Sequence, residues 1–201
     1  MYSLGSLGRE GATPVKLALA GAAMTAMLGS ITTAILLMDV DTLDQFRFWS
    51  VGSLSGRTAT VAANVAPFIL VGLVIALASG PLLNGLALGD DVARGLGQRI
   101  GLSRIVGAVA IVLLCGAATA AAGPIVFLGL AVPHIARVIT GPDHRWVIAY
   151  SIVLAPVLLL GSDVIGRVIA RPAEVQVGIV TAVLGAPVFI VLVRRRKLAE
   201  L

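Results

Sequence analysis

Long stretches without any charged side chain constrain this chain more than any other feature. From Ile105 to Ala136 no Asp, Glu, Lys or Arg interrupts the sequence, and similar runs lie between Lys16 and Asp39, Arg57 and Asp90, Arg145 and Asp163, and Glu174 and Arg194. About 20 apolar residues in a helix cover the roughly 30 Å hydrocarbon layer, so such runs read as membrane spans. Composition agrees. Of 201 residues 58% are hydrophobic and 12% charged, against roughly 25% charged in soluble domains. A soluble enzyme and a disordered chain are both excluded. The expected fold class is all-α, a polytopic transmembrane helix bundle forming a single domain.

Two of the runs are too long for one span. Ile105 to Ala136 would extend roughly 48 Å as a straight helix at about 1.5 Å per residue, so Gly123-Pro124 reads as a hairpin turn. In the run after Arg57, Gly80-Pro81 reads as a stop, because proline cannot continue the hydrogen-bond ladder. Six spans result, near 17–38, 58–79, 105–122, 125–140, 146–162 and 175–193, with a loop segment at 82–103.

The positive-inside rule supports the hairpin. With the turn in place, Arg9, Lys16, Arg94, Arg99, Arg104, Arg137, Arg145 and Arg194-Arg195-Arg196-Lys197 share one side, while Arg47, Arg57, Arg167 and Arg171 take the other. Without it the basic residues divide almost evenly. Both termini are then expected in the cytoplasm. The formal net charge of +5 reflects loop charges of a membrane protein and calls for no nucleic acid, and Arg194–Lys197 reads as an anchor against anionic membrane lipid.

Catalytic patterns are missing. His134 and His144 form no HExxH, the aspartates form no facing intramembrane pair, and neither Lys16 nor Lys197 sits in a phosphate-binding loop. No catalytic residue, resident metal or cofactor is expected, and ATP chemistry would have to come from a partner. The segment Leu82–Ser103 is the most informative loop. Leu86, Leu88, Val92, Leu96 and Ile100 recur at helical spacing among Asp90, Asp91, Arg94 and Arg99, with glycines that allow sharp breaks. It reads as two short surface helices, either lying at the membrane interface or docking a soluble partner.

Four stretches carry a resemblance. Leu86–Gly97 (LALGDDVARGLG), Gly123–Arg137 (GPIVFLGLAVPHIAR) followed by Asp143-His144-Arg145, Asp163–Phe189 (DVIGRVIARPAEVQVGIVTAVLGAPVF), and Trp49 with Gly52-Ser53-Leu54 closely resemble, in order, motifs of the FecCD/BtuC-type permeases. These are the membrane subunits of bacterial ABC importers for iron–siderophores, haem and vitamin B12. The resemblance implies a permease of the bacterial plasma (inner) membrane that translocates an iron–siderophore or related metal chelate. Its partners would be ABC ATPase subunits, a periplasmic or lipid-anchored substrate-binding protein and a second permease chain, identical or not. The six spans match the last six of that family's ten, so its first four helices are not in this sequence. A non-transporting remnant or assembly protein is the alternative, as are haem or vitamin B12 as cargo.

By the same resemblance, the ATPase-coupling residues are Leu86, Leu88, Gly89, Asp90, Asp91, Val92, Ala93, Arg94, Leu96 and Gly97, with Leu88, Val92 and Leu96 as an apolar seat and the charged residues as its rim. Arg167 and the weaker candidate Arg171 would meet the binding protein, although Asp163 and Arg167, four apart on one helix face, also suit a simple ion pair. Pro133, His134, Arg137, Asp163, Glu174, Gly185 and Pro187 are expected to be structural. His134 would bond a carbonyl freed by Pro133, and Glu174 would cap or order the start of the last span. At Gln176 the family usually has proline.

Overall fold

A computed structural model describes residues 14–171 and 174–187. Arg194–Lys197, the end of the last expected span and both termini lie outside the described residues. Among those described, all regular structure is helical: α1 (Pro14–Leu36), α2 (Val40–Ser50), α3 (Ala59–Ala87), α4 (Asp90–Gly95), α5 (Ile100–Ala122), α6 (Leu128–Thr140), α7 (His144–Ile169) and α8 (Val177–Pro187). Helices satisfy their own backbone polar groups, which hydrocarbon demands. Where the sequence reads as one domain, the chain divides into two compact units, Met1–Arg47 and Phe48–Leu201.

Within the first unit, α1 is apolar and none of its described side chains is buried. Its hydroxyls turn inward on the helix itself: Thr25, Ser30, Thr32 and Thr33 donate to the carbonyls of Gly21, Ala26, Leu28 and Gly29, each at 2.9 Å. The segment 39–57, expected as an outer loop, contains α2. Asp39 starts that helix: its carboxylate accepts the Asp41 N–H at 3.1 Å and the Thr42 hydroxyl, a side-chain N-cap.

In the second unit, α3, α5 and α7 have the length and apolarity to cross a membrane, as α1 does, whereas α6 and α8 are shorter apolar helices. The expected spans at 125–140 and 175–193 thus correspond to α6, which starts only at Leu128, and to α8, which begins at Val177. α5 and α7 exceed their expected limits, reaching back to Ile100 and on to Ile169. The α5 turn falls where Gly-Pro placed it: α5 ends at Ala122, and Gly123 takes φ +79°, a region that favours glycine.

The proposed stop at Gly80-Pro81 is corrected: α3 runs through both residues to Ala87. Proline removes one N–H from the ladder, whereas ending the helix there would leave several backbone groups without partners instead of one. Consequently Leu82–Ala87 belongs to α3, and the two expected surface helices are reduced to α4.

Small residues set the helix contacts, as expected where lipid gives no hydrophobic drive between helices. Gly72 of α3 takes the side chains of Leu113 and Leu114 so closely that an added Cβ would lie 2.8 Å from Leu114 Cγ. Gly80 faces Arg145 at the start of α7, and Gly166 of α7 faces the Val175 carbonyl. Ala110, Ala117, Val132, Ala136 and Val147 are buried. No buried side-chain nitrogen or oxygen among the described residues lacks a hydrogen bond.

Candidate functional site

The loop between α3 and α5 forms a small knob. Gly89 turns the chain out of α3 at φ +98°, α4 makes one and a half turns, and Gly97 at φ +79° turns it back toward α5. Its inner side is fixed. Ala93 is fully buried, and the Gln98 side chain donates to the Leu82 carbonyl at 2.7 Å and to Ser103 Oγ at 2.9 Å. Gly85 leaves room for that amide, since a Cβ there would meet Gln98 Oε1 at 1.9 Å.

The outer side of the knob carries the apolar triad. Leu88, Val92 and Leu96 are 63%, 50% and 70% exposed, while Leu86 is half-buried on α3. Around them Asp91 pairs with Arg94 at 3.1 Å and Asp90 with Arg104 at 2.8 Å. These exposed pairs add about 0.2–1 kcal/mol each and keep the rim in register. Exposed leucines on a rigid, charge-rimmed protrusion make a shape that a complementary groove can desolvate.

The two knob glycines differ. Gly97 sits in the left-handed region, whereas Gly95 has open space around it and an ordinary backbone. Replacing Gly97 by valine is expected to distort the knob at a cost of about 1–3 kcal/mol, the range for a strained backbone position. Gly95→Val should leave the fold intact and act only on what docks there. Limited proteolysis of the 88–98 segment separates the two: faster cleavage for Gly97→Val, wild-type cleavage for Gly95→Val.

Behind the knob, α3 meets the turn between α6 and α7. Asn84 Nδ2 donates to Asp143 Oδ1 at 2.7 Å, and Asn84 Oδ1 receives the His144 backbone N–H at 2.8 Å and faces His144 Nδ1 at 2.9 Å. Asp143 also caps α7, accepting the Arg145 N–H at 2.9 Å. The Asn84 amide holds the Asp143 carboxyl below its usual range, helped by the Arg145 backbone. Arg137 lies 3.4 Å from His144 Nε2. The His134 side chain makes no hydrogen bond to another described residue, whereas His144 is tied to Asn84, 60 positions away, a pairing that leaves no local signal. Pro133 lies inside α6.

At the other end of α7 lies a cleft of about 350 Å³ lined by Ser53, Ser55, Arg57, Asp163, Arg167 and Glu174 among others. Asp163 and Arg167 sit on the last turns of α7, which runs beyond the expected span limit of 162. Arg167 Nε donates to Asp163 Oδ2 at 2.8 Å, and Arg167 also reaches Glu174 at 3.4 Å. Glu174 does not cap α8, which starts at Val177. Its carboxylate is taken by Ser55 Oγ at 2.7 Å and by Arg167. Gln176 stands at the cap position instead, its carbonyl accepting from Ile179 and Val180. Arg171 is exposed in the turn after α7. Arg57, not singled out from sequence, also faces this cleft, its Nε 3.4 Å from the Ser53 carbonyl.

Three backbones converge beside the cleft. Ser53 N–H donates to the Ala122 carbonyl at 2.8 Å, and Gly178 N–H donates to the Gly52 carbonyl at 3.0 Å. Trp49, Gly52 and Ser53 thereby touch both the α5 turn and the start of α8, and Trp49 Nε1 adds a bond to the Ala120 carbonyl at 3.4 Å. Further along α8, Gly185 receives Phe127, the one non-glycine residue at positive φ among those described, and α8's described part closes at Pro187.

Comparison with known proteins gives these sites a family. A model of the FecCD transport family matches residues 1–195. The chain is 47% identical over 195 residues to the "Probable siderophore transport system permease protein YfiZ" of Bacillus subtilis (strain 168), covering 97% of this chain and 59% of that one. It is 45% identical over 192 residues to the ferric enterobactin transport system permease protein FepD of Escherichia coli (strain K12), covering 96% and 57%. To the Fe(3+)-citrate import system permease protein YfmD of Bacillus subtilis (strain 168) it is 40% identical over 195 residues, covering 97% and 58%. The chain thus spans less than two thirds of the length of these relatives. A solved structure described as "An inward-facing conformation of a putative metal-chelate type ABC transporter" superposes with a TM-score of 0.80 at 25% identity, over 91% of this chain and 60% of that one. With its apolar helices and the family match over nearly its whole length, the chain is a multi-pass membrane protein that belongs to the FecCD transport family.

Proposed function

We propose that the chain acts within the permease of an ABC importer that carries an iron(3+)–siderophore complex across the bacterial plasma membrane. The observation that carries this reading is the knob: an exposed apolar triad, Leu88, Val92 and Leu96, on a short helix whose inner face is locked by Ala93 and Gln98. A loop that merely lay on lipid would need no such bracing. Iron chelates are the cargo named for two of the relatives described above and a siderophore for the third, which favours this class over haem or vitamin B12.

In this reading the knob seats in a partner ATPase, which supplies the energy. The cleft at the far end of α7 faces the substrate-binding protein, with both termini on the ATPase side. There Arg167 is already neutralised by Asp163 and Glu174, so an acidic docking partner must compete with those carboxylates. Arg57 offers the freer cation, and Arg171 flanks it. A second permease chain completes the pathway, and none of these residues performs covalent chemistry.

The test is ATP-driven uptake of radiolabelled iron by vesicles containing the assembled transporter. Iron is supplied as ferric enterobactin, an iron(3+)-hydroxamate or iron(3+)-citrate with the binding protein present. Uptake of at least one, lost when ATP is omitted, is expected. Uptake of none, with the ATPase bound, would favour the non-transporting remnant.

A further inference from the structure

We propose that Asn84 is the joint through which movement of the knob reaches α7, a positioning residue for transport and not a packing accident. This rests on the reading of the chain as an ATPase-driven permease. Asn84 is a polar side chain near the end of a long apolar helix, five positions before Gly89, where the chain leaves for the knob.

On one side, residues 82–85 of α3 are bound to the knob's return strand: Gln98 grips the Leu82 carbonyl and fills the space left by Gly85. On the other side the same turn and a half of helix is bound to α7. Asn84 holds Asp143 and His144, and Gly80 lies directly on Arg145, where a Cβ would be 2.9 Å from Arg145 Cγ. Both ends of the Asn84 amide are engaged toward α7. Asp143 can only accept, which fixes Nδ2 toward it and Oδ1 toward His144. With its ring hydrogen on Nδ1, His144 donates to Oδ1 and leaves Nε2 to accept from Arg137, so the last turn of α6 joins the same network.

The consequence is mechanical. A push on Leu88, Val92 or Leu96 moves the end of α3, and through Asn84 it moves the capped first turn of α7. From His144 to Asp163 that helix carries the displacement roughly 28 Å at about 1.5 Å per residue, to the cleft holding Asp163 and Arg167. Polar contacts at both ends of one continuous helix, whose ladder lacks a single N–H at Pro156, pass a shift along it where apolar contacts alone would let the helices slide.

The experiment uses the assembled transporter in vesicles and measures ATP hydrolysis and uptake of radiolabelled iron from the same three chelates. Asn84→Ala should keep hydrolysis within about twofold of wild type while uptake falls about tenfold or more, within the range of measured coupling between sites. Asn84→Asp alone sets two carboxylates against each other and should uncouple equally. Asn84→Asp combined with Asp143→Asn exchanges donor and acceptor, still leaves an oxygen to cap Arg145 N–H, and should restore uptake. Unchanged uptake in Asn84→Ala overturns the proposal. So does a parallel fall of hydrolysis and uptake that the paired exchange does not repair, which is the mark of a purely structural residue. A wild-type transporter that imports none of the three chelates overturns the permease reading itself, and this proposal with it.

Discussion

A Gly178→Ala chain in detergent is expected to melt about 10 °C below wild type, the shift that follows from roughly 3 kcal/mol at about 2–4 °C per kcal/mol for a chain of this size. The added Cβ would lie 1.9 Å from the Val51 carbonyl oxygen and 3.1 Å from that of Gly52. Both are backbone atoms, so no side chain can swing aside. Relief requires moving the start of α8 away from the 49–53 loop. That breaks the Gly178–Gly52 hydrogen bond, worth about 1 kcal/mol, on top of about 1–3 kcal/mol for overpacking. Gly123→Ala should be as damaging, because its Cβ would meet the Trp49 carbonyl oxygen at 2.0 Å and the residue also sits at φ +79°. Gly161→Ala, on α7 with nothing within 4 Å, is the control and should not lower the midpoint. A Gly178→Ala midpoint equal to wild type would mean that the three backbones are less tightly held than their spacing implies.

The second large effect concerns association. On the proposed function, Leu96→Asp is expected to weaken binding of a partner ATPase about 100-fold. Burying a leucine in a groove contributes about 1.5–3 kcal/mol, a buried carboxylate without a partner adds a penalty, and about 1.4 kcal/mol is tenfold. The fold should be untouched, since Leu96 points outward and is 70% exposed. Co-purification at graded ATPase concentration measures it, with melting temperature as the control for folding. Ala93→Leu should also reduce association, for a different reason: Ala93 is fully buried, so the larger side chain levers α4 off its base and the melting curve changes as well. Leu96→Asp with undiminished binding would remove the knob from the interface.

The features legible in the sequence are those written locally. The turn at Gly123-Pro124 follows from a run too long for one span and from a glycine free to take the positive φ that ends α5. Leucine spacing and glycines point to short helical structure between α3 and α5, though to two helices and with docking left open beside an interfacial role, and the i,i+4 interval points to the Asp163–Arg167 pair. A proline within a helix costs one N–H of the ladder and need not end it: α3 runs through Pro81 and carries Asn84 to its place. The helix in 39–57 was hidden by its charges, though Asp39 at its start is a recognisable cap. What one sequence cannot show is pairing at a distance. Asn84 with Asp143 and Ser55 with Glu174 lie 59 and 119 positions apart, and neither spacing nor composition links them. For that reason Glu174 was assigned to the nearest helix start, and His134, beside a proline, drew attention that belongs to His144.

The hydroxyls of α1 bear on how that helix can behave. Because Thr25, Ser30, Thr32 and Thr33 have each committed their hydrogen to a carbonyl one turn back, none is left holding a neighbour. Turning such a helix about its axis, or sliding it along whatever packs against it, exchanges dispersion contacts for others of similar strength and breaks no hydrogen bond. The four hydroxyls of α1 donate within their own helix, in contrast to Asn84, whose amide bridges two helices.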